Sequence, residues 1–176
     1  MEEKNNPISL NSEAMRCGTL LGLLWIAMYA SILAGFGNII FALLFLALYC
    51  ASPIYAGYLA IRTRKRELNN IMPFFQAWMF LLIMYICASL LSAVAQFIYF
   101  RFLDNGYIMQ MMQQAATIMA NNPEIFDTMA KDFNAAIQEY QNLDTRHIVF
   151  SMLSSNIMNG TILAPIIALF VKRNPK

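Results

Sequence analysis

Apolar and polar positions fall into long blocks along this chain. Four apolar runs without a charged residue, Cys17–Phe36, Ile39–Ile61, Phe74–Phe100 and Ile148–Val171, are divided by shorter polar stretches. Each is long enough to cross a ~30 Å hydrocarbon core, which takes about 20 residues as a helix. The first run exceeds a signal-peptide core and three more follow it, so it is expected to be retained as a span. Gly35-Phe36-Gly37-Asn38 predicts a tight turn, which makes runs one and two antiparallel neighbours. Pro73 stands where a third helix would open, and Asp104-Asn105-Gly106 reads as its stop. Pro53 and Pro165 lie inside the second and fourth runs.

A different pattern holds between residues 101 and 147. Ile108, Met111, Met112, Ala115, Ile118 and Met119 recur at helical spacing on one face. Asn122-Pro123-Glu124 predicts an N-cap, a proline at the first helical position and an acid in the first turn. Phe126, Met129, Ala130, Phe133, Ile137 and Tyr140 form a second amphipathic stripe. Two such helices can pair, lie on the outer leaflet, or cover the mouth of a bundle; a cap on the outer ends of the spans is expected. The fold class is therefore all-α: a polytopic membrane protein of four transmembrane helices, with a helical extracytoplasmic insertion between helices 3 and 4. In order the chain reads as a tail (1–16), spans at 17–36 and 39–61, a basic loop (62–73), a span at 74–100, the amphipathic segment (101–147), a span at 148–171 and a short tail (172–176).

Composition agrees. Of 176 residues 59% are hydrophobic and 12% charged, about half the usual charge of a soluble domain. Mean hydropathy is +0.51. The twelve basic residues are unevenly placed: Lys4, Arg16, Arg62, Arg64, Lys65, Arg66, Lys172, Arg173 and Lys176 fall on one side of the four spans, and only Arg101, Lys131 and Arg146 on the other. Lys/Arg bias sets orientation, so both termini and the 62–73 loop are expected in the cytoplasm, with Arg62, Arg64, Lys65, Arg66, Lys172 and Arg173 as topology determinants. A net charge of +2 with no basic face argues against nucleic acid as a partner. Cys17, Cys50 and Cys87 all lie in apolar runs without metal-ligand spacing, and are expected to pack as small hydrophobes.

Candidate chemistry is sparse. Ala14, Gly18 and Gly22 recur every four residues and form a helix-packing seam, either inside the bundle against span two or four, or between two copies. Span four carries Ser151, Ser155 and Asn159 on one face, with Asn156 beside them. With Ser89, Ser92 and Gln96 of span three they form a candidate polar intramembrane face, expected to point inward as interhelical hydrogen-bond glue or as the lining of a pocket. Asn159-Gly160-Thr161 matches a glycosylation sequon but lies within a span, and is discounted. His147 sits beside Arg146 at a span edge, and no acid lies in any span to carry a proton relay. Met109, Met111 and Met112 are soft donors in principle, yet two of them already belong to the apolar stripe. No catalytic, metal or cofactor motif is visible, and none of these groups is expected.

Arg62-Thr63-Arg64-Lys65-Arg66-Glu67, Phe75-Gln76-Ala77 and Phe97-Ile98-Tyr99-Phe100-Arg101-Phe102-Leu103-Asp104 carry a family likeness. Through them, and in length and layout over nearly the whole chain, the sequence resembles the domain of unknown function 4199 family of small four-span membrane proteins of Gram-negative envelopes. The resemblance implies the bacterial inner membrane, with residues 101–147 in the periplasm, and brings no catalytic or binding residues. The leading expectation is a non-enzymatic accessory or scaffold subunit of an envelope membrane complex. Its partners would be the lipid bilayer and another membrane protein, or further copies of itself. Two alternatives stand beside it. One is a passive small-solute carrier or pore subunit using the polar face of spans three and four. The other is an integral-membrane enzyme on a lipid-linked substrate, for which Asp104, Asp144 and His147 are the only outer candidates.

Overall fold

A computed structural model describes residues 7–35 and 38–174. Its described residues form six helices: α1 Pro7–Ala34, α2 Ile39–Glu67, α3 Phe74–Phe102, α4 Tyr107–Ala120, α5 Pro123–Gln141 and α6 Thr145–Val171. Strands are absent among them, apart from one isolated bridge between Met72 and Arg173. Four helices are long and apolar enough to cross a membrane: Leu10–Ala34, α2, α3 and α6. The chain divides into two compact units, residues 1–94 with 152–176, and residues 95–151.

In the first unit, the initial part of α3 is the helix that the others bury. Phe80, Leu81, Met84, Tyr85 and Ala88 are almost wholly enclosed. The chain achieves this by facing α3 with small residues. A Cβ on Gly18 of α1 would lie 2.7 Å from both the Met84 carbonyl oxygen and the Cys87 Cβ. One turn on, a Cβ on Gly22 would meet Leu91 and Ala88 at 3.0–3.2 Å. From α6, a Cβ on Gly160 would stand 2.7 Å from that of Tyr85. Gly18 and Gly22 of the seam thus pack against the third span, where the second or fourth was expected. Ala88 supplies a small facing residue on α3, and close backbone approach is what holds helices together where solvent gives no hydrophobic drive. Trp25 joins α1 to α2 by donating from Nε1 to the Ser52 hydroxyl at 2.7 Å, with its ring 6.0 Å from that of Tyr85.

Helix ends differ from the expected boundaries for identifiable reasons. α1 runs back to Pro7, through most of the stretch expected to be a tail; residues 1–6 of that tail lie outside the described residues. Half-buried Leu10 and buried Ala14 continue the stripe of Cys17 and Leu21 back beyond the apolar run, so packing carries the helix past its polar neighbours. Residues 62–67, expected as loop, are the last turns of α2, where three basic side chains complement the carbonyl end of the helix dipole. Of the expected Gly35–Asn38 turn, Phe36 and Gly37 lie outside the described residues. Asn38 caps α2, accepting from the Ile40 N–H at 3.0 Å.

The true α2–α3 loop is short and doubly fastened. Asn69 and Asn70 adopt left-handed φ of 48° and 64°, a conformation that asparagine tolerates better than most residues. The Asn70 N–H closes α2 on the Arg64 carbonyl at 3.0 Å. Met72 and Arg173 exchange backbone hydrogen bonds of 2.9 and 2.8 Å. Arg64 turns its guanidinium inward and donates to the Val171 carbonyl in the last turn of α6. It is only 8% exposed, so it is a buried structural cation and not a free loop charge.

The second unit holds α4 and α5 packed on each other, with the ends of α3 and α6. Gly106, at φ 82°, makes the left-handed turn that ends the α3 connection and opens α4. Met111 and Ile137 are buried, while Ile118 and Met129 on the same expected stripes are exposed. Pro123 and Glu124 stand in the first turn of α5. Asn122 occupies the N-cap position, but its side chain donates back to the Ile118 carbonyl at 2.8 Å instead of capping α5.

Candidate functional site

The polar residues of α3 and α6 do not meet as one inward face. Ser89, Ser92 and Gln96 are buried, and Ser89 donates to the Tyr85 carbonyl at 2.8 Å. On α6, however, Ser151, Ser155 and Asn159 are exposed and Asn156 is half-buried. The reason lies one residue away. Gly160, Ala164 and Ala168 form a buried small-residue stripe on α6, and Gly160 takes the position against Tyr85. A helix seats its narrowest face where close approach is possible, which turns the serine–asparagine stripe outward. Below Asn159 the same outer face continues with Ile162 and Ile166, both exposed.

A second grouping comes from helices distant in sequence. The N-terminal part of α1 and the last turns of α2 enclose a cleft of about 210 Å³. Leu20 and Leu59 form its apolar side, and Cys17 contacts the Thr63 hydroxyl at 3.7 Å. Arg16, Arg62 and Arg66 stand at its rim with Glu13 and Glu67. Arg16 is held by Glu13 at 2.8 Å and Arg66 by Glu67 at 3.3 Å. Arg62 and Lys65 are exposed, as are Lys172 and Arg173 after α6.

Asp104 and Asp144 are engaged locally. Asp104 accepts from the Ile108 N–H at 3.0 Å and the Tyr99 hydroxyl at 3.4 Å, so it anchors the start of α4. Asp144 and Arg146 form an exposed pair at 4.0 Å, and His147 is exposed. Among the described residues, no group of three His, Cys, Asp or Glu side chains is placed to hold a metal ion. Met109 accepts from Gln141 Nε2 at 3.6 Å between α4 and α5, and Met111 fills their interior. Cys17 is buried and Cys87 half-buried, but Cys50 is exposed on α2 and does not pack inside as expected.

Tyr140 on α5 has a buried hydroxyl without a hydrogen-bond partner among the described residues. Burial, with the nearby Asp104 and Tyr99, pushes its phenol up to about 12. The folded state therefore holds this proton more tightly than the unfolded chain, whose tyrosine titrates near 10. The stability that follows is complete below about pH 10 and is lost as pH rises toward 12. Thermal melts between these limits should fall more steeply for the wild type than for Tyr140→Phe; parallel curves would remove Tyr140 as the cause.

The family described as "Protein of unknown function (DUF4199)" matches residues 16–173. The chain belongs to that family. Neither the curated proteins nor the solved structures gave a match. The match begins at Arg16 and ends at Arg173, so it takes in the cleft apart from Glu13, Gly18 and Gly22 of the seam, and the bridge between Met72 and Arg173.

Two features here were missed in the sequence. Gly160, Ala164 and Ala168 recur every four residues, a signal as plain as the one on α1 but overshadowed by the sequon and the amides beside it. The pairing of Arg16 with Arg62 and Arg66 across a cleft had no local signal, because it depends on the register of α1 against α2.

Proposed function

We propose that this DUF4199 protein is a non-enzymatic accessory or scaffold subunit of a membrane complex, acting in the bacterial inner membrane with both termini in the cytoplasm. One observation carries the subunit role: the Ser151–Ser155–Asn159 stripe faces outward from a helix apolar enough to span a membrane. None of these three side chains hydrogen-bonds another described residue. An amide left against lipid tails is unfavourable, so a facing helix of another protein supplies its partners. The charge asymmetry supports the orientation, and the family resemblance supports the compartment.

A photo-crosslinking residue placed at Asn159 in native membranes tests this. It is expected to give a discrete adduct with a second membrane protein, while the same probe at Leu43, an exposed apolar position on α2, gives none. Asn159→Leu should reduce recovery of the partner by about fivefold, in line with ~1 kcal/mol for an amide between helices in lipid. Adducts spread equally over both positions would sink the proposal. The same stripe also supports the pore-subunit alternative, in which copies of the chain arrange it around a path. An adduct of the chain with itself alone, together with solute flux in reconstituted vesicles, would favour that alternative.

A further inference from the structure

The cationic end of α2 holds more than an orientation signal. Tyr58, Ile61, Arg62, Lys65 and Arg66 line a groove beside the α1–α2 cleft, and Arg62 and Arg66 belong to both. Their spacing places all five on one helical face. Along that face the chemistry changes in a fixed order. Exposed Ile54 comes first, then Tyr58, whose ring stacks with that of Tyr55 at 6.4 Å, and then the cations. Hydrocarbon, aromatic and charge thus succeed one another as they do from acyl chain to headgroup at a bilayer surface.

The three arginines of the cleft are not equivalent. Glu13 and Glu67 already engage Arg16 and Arg66. Arg64 is turned inward onto the end of α6. Arg62 has no carboxylate partner among the described residues, and it sits where cleft and groove join. Its planar fork suits two oxygens of a phosphate, with exposed Lys65 adding a point charge. A free soluble anion would use only these charges. An apolar approach through Ile54 and Tyr58 and an apolar cleft side at Leu20 suit an anion attached to acyl chains.

We propose that this face of α2 and the adjoining cleft bind the phosphate of an anionic phospholipid, with Arg62 as the principal contact. The site depends on α2 crossing a bilayer and not on the scaffold role, so a chain without a protein partner would still show it. Clusters of Lys and Arg at the end of a span are the established chemistry for such lipids. What is specific here is that, of Arg16, Arg62, Arg64 and Arg66, Arg62 alone has neither a carboxylate nor a carbonyl partner among the described residues.

Purified full-length protein in maltoside detergent would be titrated with dioleoylphosphatidylglycerol, dioleoylphosphatidylcholine and inorganic phosphate. The melting temperature and the lipid retained in native mass spectra are the readouts. Phosphatidylglycerol is expected to be retained and to raise the melting temperature; phosphatidylcholine and inorganic phosphate are not. Arg62→Gln, at an exposed position, should weaken phosphatidylglycerol retention about tenfold, the scale of one charge-assisted fork. Arg62→Lys should fall between, and Lys172→Gln, which removes an equal charge elsewhere, should bind as wild type. Equal retention of both lipids, an unaffected Arg62→Gln, or equal loss in Arg62→Gln and Lys172→Gln would each overturn the site. A response to inorganic phosphate matching that to the lipid would overturn the lipid as its occupant.

Discussion

Gly18→Leu is expected to lower the stability of the protein by about 3 kcal/mol, the upper end of what overpacking an interior costs. The neighbour of an added Cβ is the Met84 carbonyl oxygen at 2.7 Å, a backbone atom that cannot rotate aside. α1 and α3 would have to separate, and the contacts of Leu21 and Ala88 with their surroundings would loosen with them. A graded series checks the cause. Gly18→Ala should cost less than leucine but remain measurable. Gly22→Ala should cost least, because its nearest neighbour is the Leu91 Cδ2 at 3.0 Å, the end of a flexible side chain. Unfolding followed by circular dichroism in mixed detergent would measure all three. If Gly18→Leu unfolded with the wild type, the close approach of α1 to α3 would be refuted.

Arg64→Met should be the second large effect, at about 2 kcal/mol. Hydrogen bonds from a charged donor contribute roughly 1.5–3 kcal/mol, and the variant leaves the Val171 carbonyl without its donor at the end of α6. Burial moderates the figure, since the Arg64 Nε has no acceptor among the described residues and its removal relieves a cost. The local readout is amide exchange at Met72, whose N–H is bonded to the Arg173 carbonyl. That amide should exchange about thirtyfold faster, the factor corresponding to 2 kcal/mol. Orientation in the membrane should be unchanged, because Arg62, Lys65 and Arg66 keep the cationic end of α2. A Met72 amide that exchanged as in the wild type would show that Arg64 does not hold the loop.

What could be read beforehand follows from which forces act locally. The four long helices were legible because a hydrocarbon-length apolar run is a property of consecutive residues. The α4–α5 pair was legible because amphipathic spacing and a proline start are local too. The turn at Asp104–Gly106 was legible for the same reason, since only its own backbone has to be satisfied. Helix ends were not. Leu10 and Ala14 extend α1 through contacts with other helices, and Arg64 leaves the loop for a carbonyl more than a hundred positions away. The polar face of α6 shows the point most directly. Hydrogen-bonding capacity suggested that Asn159 should turn inward, but steric fit decided otherwise, because Gly160 comes closer to α3 than an asparagine can. Of the candidate lipid site, the cationic cluster was visible from the start. Its arrangement with Arg16, Cys17 and Thr63 required two helices to be set side by side.

The stitch between Met72 and Arg173 has a consequence for how the molecule is made. The loop that leads into the third span has its backbone partner just after α6, and Gly160 of α6 itself completes the packing around Tyr85. A ribosome makes these pieces after α1, α2 and α3. Three spans can therefore enter the bilayer and still lack the strap and the wedge that lock them, and closure waits for long-range contacts of the kind that slow folding. Until α6 arrives, Tyr85 lacks the neighbour that Gly160 provides.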